Sequence, residues 1–372
     1  MIVEDIALTL TPGLNLKGAV RLLEVFSTAE NIFRASHEEL THFAQLNPRV
    51  ATAVVNRVAF AQAQREVEYC RKNAIEIITS RDDVYPELLR HTPDYPPALY
   101  LIGNKEALKG RCVSIVGTRR ITSYGDRMTH EAVKGLAAQL PDLTIVSGLA
   151  FGVDGSAHRA ALAYGATTVA VVANPLPAVT PTQHTGLADD IIKNGGAIIS
   201  ECHSQTKYHP SLYLDRNRII ATMSSVTIIA ESPKSGGSMV TAKIADSYDR
   251  TVMAIPGRQT DKNSEGCNSL ISSRVAQLYM SPEHLIRTMM WDVDAPADRV
   301  VTQPLAIALS PEQQSLLTHF GADEILDIEE LGLRSKLETS TLLSLLMELE
   351  LQGVLHVVRG NRVELLNVVA TS

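Results

Sequence analysis

The chain has 372 residues, 45% hydrophobic and 20% charged, with a formal net charge of −7. That length accommodates two or three domains. No apolar run reaches the roughly 18 residues of a spanning helix, and the N-terminus, MIVEDIALTL, carries two acids where a secretory signal would be basic. The four cysteines, Cys70, Cys112, Cys202 and Cys267, form no C-x-x-C pair, which argues against a zinc ribbon or a redox dithiol. The expectation is a cytoplasmic protein with reduced thiols and no membrane segment. The charge is uneven. Residues 1–80 hold 8 basic and 9 acidic side chains, residues 81–304 hold 22 of each, and residues 305–372 hold 4 and 10. The acidity sits mostly in the tail, and a neutral middle can still focus positive potential in one cleft.

The first 70 residues read as a small helical domain of SAM or helix-hairpin-helix type. Val20, Leu23 and Phe26 mark one apolar face, with Ile32, Phe33 and Leu40 beyond it. Thr11-Pro12-Gly13 and Asn47-Pro48 separate short helices. The stretch PGLNLKGAVRLL resembles a hairpin that touches a DNA backbone; equally, Gly13 and Gly18 there serve tight helix packing.

From residue 75 the pattern changes. IEIITS (75–80) and ALYLIG (98–103) read as strands around a Pro- and Tyr-containing loop. A regular alternation follows. CVSIVG (112–117), TIVSG (144–148), TTVAVVA (167–173), AIISE (197–201) and VTIIAES (226–232) each precede a helical segment, and TVMAIP (251–256) ends the series. Continuous Val/Ile runs between amphipathic helices mean parallel strands buried on both faces. The fold class is therefore α/β, a Rossmann-like doubly wound parallel sheet over 75–290, with ligands expected beyond the carboxyl ends of its strands. Residues 292–304 have linker composition. The tail, 305–372, opens with Ser310 as N-cap and Pro311 at the first helical position. It closes with VLHVV–RGN–RVELL, a two-stranded wing after a helix, which is the winged-helix pattern.

The strand-end loops carry the chemistry. GTRRITSYG follows a strand directly, yet matches neither the dinucleotide loop G-x-G-x-x-G nor the P-loop. With SGLAFGVDGSAH, ANPLPAVTPTQH, ECHSQTKYHP, ESPKSGGSMVTA and PGRQTDKNSEGCNSL it would line one sheet edge with amides, hydroxyls and guanidinium groups. Arg119, Arg120, Lys207, Arg216, Arg218, Lys234 and Lys243 stand among or beside these loops, enough for several phosphates in a row. Tyr124, Phe151, Tyr208 and Tyr213 either stack on bases or plug the core. No metal-spaced cluster of His and carboxylates is visible, so neither a metal nor a cofactor is expected. Asp154 and Glu201 are the nearest approach to catalytic acids. Asp154 doubles as a helix N-cap candidate, and His158 has a structural as well as a catalytic reading.

GTRRITSYG, SGLAFGVDGSAHRAAL, GGAIISE, RNRIIATMS, ESPKSGGSMVTA and AIPG resemble, in order and spacing, the motifs of the DNA-processing protein A (DprA/Smf) family. The resemblance is strong over about residues 75–280. It implies a non-enzymatic single-stranded DNA-binding protein of natural transformation, one that protects incoming strands, loads the RecA recombinase and dimerises through the α/β domain. It maps the family's basic pocket onto Arg119, Lys207, Arg216 and Arg218, with Gly117, Thr118, Arg120, Asn217 and Thr241 beside them. It also places phosphate-holding loops at Ser147-Gly148 and Ser235-Gly236-Gly237-Ser238. Two departures stand out: NPLPAVTP has Thr180 where the family usually has Tyr, and Tyr213 stands near the place of a Phe.

Two other readings compete. Related nucleotide-hydrolysing proteins of the lysine-decarboxylase-like type carry P-G-G-x-G-T-x-x-E; here SGGSMVTAKIAD lacks that Glu, and with it the acid/base group. A nucleotide-sensing module would bind mononucleotides as well as oligonucleotides.

The tail's charge favours a protein contact over phosphate binding, which needs Lys and Arg. Deleting 305–372 takes the net charge from −7 to −1, because ten acids and four bases leave. Single-strand affinity should then stay level or rise slightly, most visibly at low salt, since the Debye length is only about 8 Å at physiological ionic strength. Titrations of both forms at two salt concentrations check this. A large loss at both would make the tail a DNA-binding element.

Overall fold

The computed structural model describes residues 2–291, 309–320, 325–351, 354–358 and 362–365. The chain forms two compact units, Met1–Asp292 and Val293–Ser372.

The first unit opens with helices α1 (Ile2–Leu10), α2 (Leu16–Phe26), α3 (Ala29–Ile32), α4 (His37–His42), α5 (Pro48–Val55) and α6 (Phe60–Lys72). Their starts are written in capping residues. Asn15, Thr28 and Ser36 each accept a first-turn amide, and Pro48 stands at the first position of α5. Most of the expected apolar face is buried: Val20, Leu23, Ile32, Phe33 and Leu40 are all under a tenth exposed, while Phe26 is only partly buried.

The α/β region follows as β1 (Glu76–Thr79), α7 (Glu87–Arg90), β2 (Ala98–Gly103), β3 (Arg111–Val116), α8 (Ser123–Gln139), β4 (Leu143–Ser147), α9 (Val153–Ala163), β5 (Thr167–Val171), α10 (Thr185–Lys193), β6 (Ala197–Ser200), α11 (Leu212–Met223), β7 (Val226–Ile229), α12 (Gly237–Ser247), β8 (Thr251–Ala254), α13 (Glu265–Ser272), β9 (Gln277–Leu278) and α14 (Pro282–Thr288). The sheet order is β1-β2-β6-β5-β4-β3-β7-β8-β9. From β6 to β9 neighbouring strands are parallel, and their residues are buried on both faces except on the short edge strand β9. Two features go beyond the alternation. β2 runs antiparallel to both β1 and β6, and β9 extends the sheet past the strand at 251–254. β9 spans two exposed residues, too short for a periodicity signal.

Helices cover both faces. Ala132, Val133 and Leu136 of α8, Ala157 of α9 and Leu285 of α14 pack with β3, β4 and β7 on one side. Ile219 and Ile220 of α11, Ala242 of α12 and Leu270 of α13 pack on the other. The N-terminal helices share a single apolar cluster with Ala170, Val172 and Ile198 of the sheet region and with Ala188 and Ile191 of α10. Polar ties reinforce this: Arg81 meets Asp5 at 2.5 Å, and Tyr69 Oη donates to Leu176 O at 3.1 Å. The helical segment and the sheet therefore share one compact unit.

The second unit contains α15 (Pro311–Leu317), β10 (Ile325–Asp327), α16 (Ile328–Ser335), α17 (Thr339–Leu351), β11 (Leu355–Val358) and β12 (Arg362–Leu365). Ser310 and Gln313 form a capping box, and β12 pairs antiparallel with both β10 and β11. This is a winged-helix arrangement around Leu316, Leu331, Leu342, Leu346 and Val363. The linker composition at 292–304 falls outside the described residues. Among the described residues no helix is long and apolar enough to cross a membrane, and all four cysteines are free and buried.

His158 is fully buried in α9, with Nδ1 2.7 Å from Thr168 Oγ1. Thr168 spends its own proton on Ile145 O, so the imidazole donates through Nδ1, and its buried Nε2 has no protein partner. Burial, the first cause, and nearby cations lower its pKa to about 3. A group depressed in the folded state gives stability that is present above the unfolded value and lost as pH falls toward the folded one. The contribution of His158 to the unfolding free energy should therefore fall below pH 6.5. The glutamine variant His158→Gln should have a pH slope shallower by about 1 kcal/mol per unit between pH 5 and 6. Urea denaturation across that range checks it, and identical slopes would show that His158 does not carry the effect.

Candidate nucleic-acid interface

The strand order reverses between β3 and β7, which pair in parallel register from Val113↔Val226 to Val116↔Ile229. A crevice outside the carboxyl ends of these two strands is the expected ligand position in such a sheet. The turn after β3 is built around one acid. Glu231, 1% exposed, lies just past β7. Its backbone O accepts Thr118 N at 2.7 Å, and its carboxylate accepts Thr122 N at 2.8 Å and Thr122 Oγ1 at 2.6 Å. Thr122 in turn caps α8 by accepting Gly125 N. The turn is thus fastened at both ends, and Arg119 and Arg120 between them are exposed.

A cleft of ≈ 230 Å³ opens beside this turn, walled by α9, α11 and the loop from β7 to α12. Arg119 stands on it with its guanidinium carbon 5.2 Å from the centroid of the Tyr213 ring. Tyr208, 75% exposed, lies edge-on to Tyr213 at 6.4 Å. Arg216 is also among the lining residues but is only 4% exposed, with Nη1 donating to Val171 O at 2.7 Å and Nε without a protein acceptor. Burial lowers the pKa of Arg216 and raises that of Asp154, each partly opposed by the other's charge. Gly148 makes this possible: a Cβ there would lie 1.7 Å from Arg216 Nη1 and 2.6 Å from Asp154 Oδ2. Across the cleft Gly236 is the N-cap of α12 and gives no side-chain cap; Met239 N donates to Gly236 O at 3.1 Å, which leaves the amides of Gly237 and Ser238 for an acceptor on a ligand.

The structure gathers Gly117, Thr118, Arg119, Arg216, Asn217, Gly236, Gly237, Ser238 and Thr241 around this cleft. The other candidates stand apart. Arg120, Lys207 and Ser235 are exposed but outside its lining. Ser147 is buried, its hydroxyl donating to Ile115 O at 2.6 Å, and Gly148 lies beneath Arg216. Arg218 turns away. Nη2 meets Glu201 at 2.6 Å and Nη1 donates to Asp94 O at 2.8 Å. The reason is helical geometry: residues i and i+2 do not share a face, so Arg216 and Arg218 cannot point into one cleft. The same pairing occupies Glu201. Asp154 is not an N-cap, since Gly152 holds that position. Sequence reasoning misses Glu231; its only signal there is an acid closing an otherwise apolar strand. Among the described residues no group of His, Cys, Asp and Glu is placed to hold a metal ion.

Comparison with known proteins agrees with this geometry. Residues 76–290 match the family model of DNA recombination-mediator protein A, and residues 301–361 match the DprA winged helix domain. Protein Smf of Escherichia coli is 31% identical over 350 residues, covering 88% of this chain and 90% of that protein. DNA processing protein DprA of Streptococcus pneumoniae is 37% identical over 193 residues, or 51% of this chain and 66% of that protein. The X-ray structure of the S. pneumoniae protein superposes with a TM-score of 0.67 at 29% identity, covering 77% of this chain and 98% of that one. DNA processing protein A of Helicobacter pylori, described for its single-stranded DNA binding mode, gives 0.52 at 29% identity over 59% of this chain and 96% of its own. With the sheet, the winged helix and these matches in place, the chain belongs to the DNA-processing protein A (DprA/Smf) family.

Proposed function

We propose that the protein binds single-stranded DNA along the carboxyl edge of its sheet and acts as a recombination mediator in natural transformation, as a cytoplasmic homodimer that protects incoming strands and loads RecA onto them. The observation that carries the reading is the switch-point cleft. It combines an exposed arginine on a pinned turn with uncapped helix amides, the chemistry of a phosphate site. At ≈ 230 Å³ it is below the roughly 300–1,000 Å³ of sites that enclose a small ligand. That favours a chain contacted through its backbone over an engulfed mononucleotide. The hydrolytic alternative is disfavoured because SGGSMVTAKIAD lacks the Glu of that motif. The H. pylori relative supports the single-strand part, and the recombination-mediator family model supports a role in recombination.

The winged helix suits a protein partner better than a duplex. Helix α17, TSTLLSLLMELEL, has no Lys or Arg, and Leu343 and Met347 lie exposed on it. Phosphate contact needs cations.

Three measurements test the proposal. Single-stranded oligonucleotides should bind more tightly than duplexes of equal length at equal salt, with little dependence on sequence; equal affinities would count against it. Arg119→Ala should weaken binding for all sequences alike, because a phosphate contact positions without reading bases. Its slope of log K against log salt should be shallower by roughly 0.7. A folded variant with unchanged affinity and slope would remove Arg119 from the site. Recombinase loading is checked separately, by RecA filament formation on strands already coated with a single-strand-binding protein.

A further inference from the structure

We infer that a second phosphate subsite for the same single strand lies on the other side of the β3–α8 turn, walled by Tyr124 and Arg127 of α8 and by Arg258 of the loop after β8. This rests on the single-strand reading above and extends it to a loop that the cleft at Arg119 does not use. A cavity of ≈ 600 Å³ is lined there by Tyr124, Arg127, Pro256, Gly257, Arg258 and Asp261.

The walls are rigid. Tyr124 Oη donates to Pro256 O at 2.6 Å, joining the start of α8 to the end of β8. The Asn268 side chain grips Gly257 from both sides, accepting its N–H at 3.2 Å and donating to its O at 3.0 Å. Only glycine fits, since a Cβ at 257 would lie 1.9 Å from Ser264 Oγ. The loop therefore presents Arg258 from a braced turn. Arg127 faces it, its guanidinium carbon 5.8 Å from the centroid of the Tyr124 ring. Arg120, Arg127, Arg258 and Lys262 are exposed, and among the described residues none of them is in an ion pair. The one acid of the lining, Asp261, is engaged within the loop, accepting from Asn263 N at 3.0 Å and Ser264 Oγ at 3.3 Å.

Position makes this cavity a continuation of the first cleft. β3 and β8 flank β7, so their ends stand about 10 Å apart, two strand spacings. The β3–α8 turn contributes Arg119 to the first cleft and Tyr124 to this one, with the exposed Arg120 between them. A phosphodiester chain leaving Arg119 thus meets a line of exposed cations leading to Arg127 and Arg258, which outnumber the single acid of the lining, Asp261.

The test uses the full-length protein and the double variant Arg127→Ala/Arg258→Ala, with far-UV circular dichroism confirming the fold. Fluorescence anisotropy measures binding to labelled oligothymidylates of about 6 and about 25 nucleotides. The expected result is unchanged affinity for the short strand and a loss of about tenfold or more for the long one at low salt. The salt slope for the long strand should be shallower by roughly 1.4, from two lost single-strand contacts. Arg127→Lys/Arg258→Lys should restore the slope, because the subsite needs charge. Unchanged binding of both strands would overturn the subsite and leave the function proposed above intact; so would equal losses on both. If the unaltered protein binds neither strand, the single-strand reading itself fails and the subsite falls with it.

Discussion

The buried carboxylate of Glu231 is the contact on which the site depends. It sits where β7 ends and holds the turn that follows β3, joining the two parallel strands between which the strand order reverses. A carboxyl group removed from water is costly unless its hydrogen-bonding capacity is met. Here an amide and a hydroxyl of one residue, Thr122, meet it. The result is a turn whose backbone is committed inward while its arginines stay outside. A guanidinium presented from a braced turn loses less freedom on meeting a phosphate than one on a loose loop.

The two arginines of the RNR stretch show how burial divides one motif into two jobs. Arg218 spends its donors on Glu201 and Asp94, joining α11 to the strand-end and loop segments beside it. Arg216 lies under the cleft with only part of its donor capacity used, kept company by Asp154. A buried cation with an unmet Nε–H beneath the cleft provides a positive floor that solvent screens poorly. Arg119 above it is exposed and screened. One cation is fixed and one is adaptable, a combination suited to a flexible polyanion.

The N-terminal helices also bear on the site. Glu66 of α6 is 3% exposed, and its carboxylate accepts the amide of Ser204 at 2.8 Å and the Ser204 hydroxyl. Ser204 begins the loop that carries Lys207 and Tyr208 toward Tyr213. A helical segment that shares an apolar cluster with the sheet and anchors one of its strand-end loops belongs to the same mechanical body as the cleft.

Much of this was legible in the amino acids alone. Parallel strands covered on both faces must be apolar throughout, so β3 to β8 declare themselves as Val/Ile runs, and the helix starts at Ser310 and Asn47 follow from backbone amides that need acceptors. The one-edge placement of the loops follows from parallel pairing, and the acidic tail from counting charges. What tertiary structure decided is which side chains meet. Strand direction at β2, the two-residue β9, the turn of Arg218 away from Arg216, and the capture of Thr122 by Glu231 all depend on contacts between residues far apart in sequence. Such contacts leave no local periodicity to read. A motif names the chemical groups available at a sheet edge; only the packing of helices against that edge determines which of them face the solvent, which face each other, and which face the cleft.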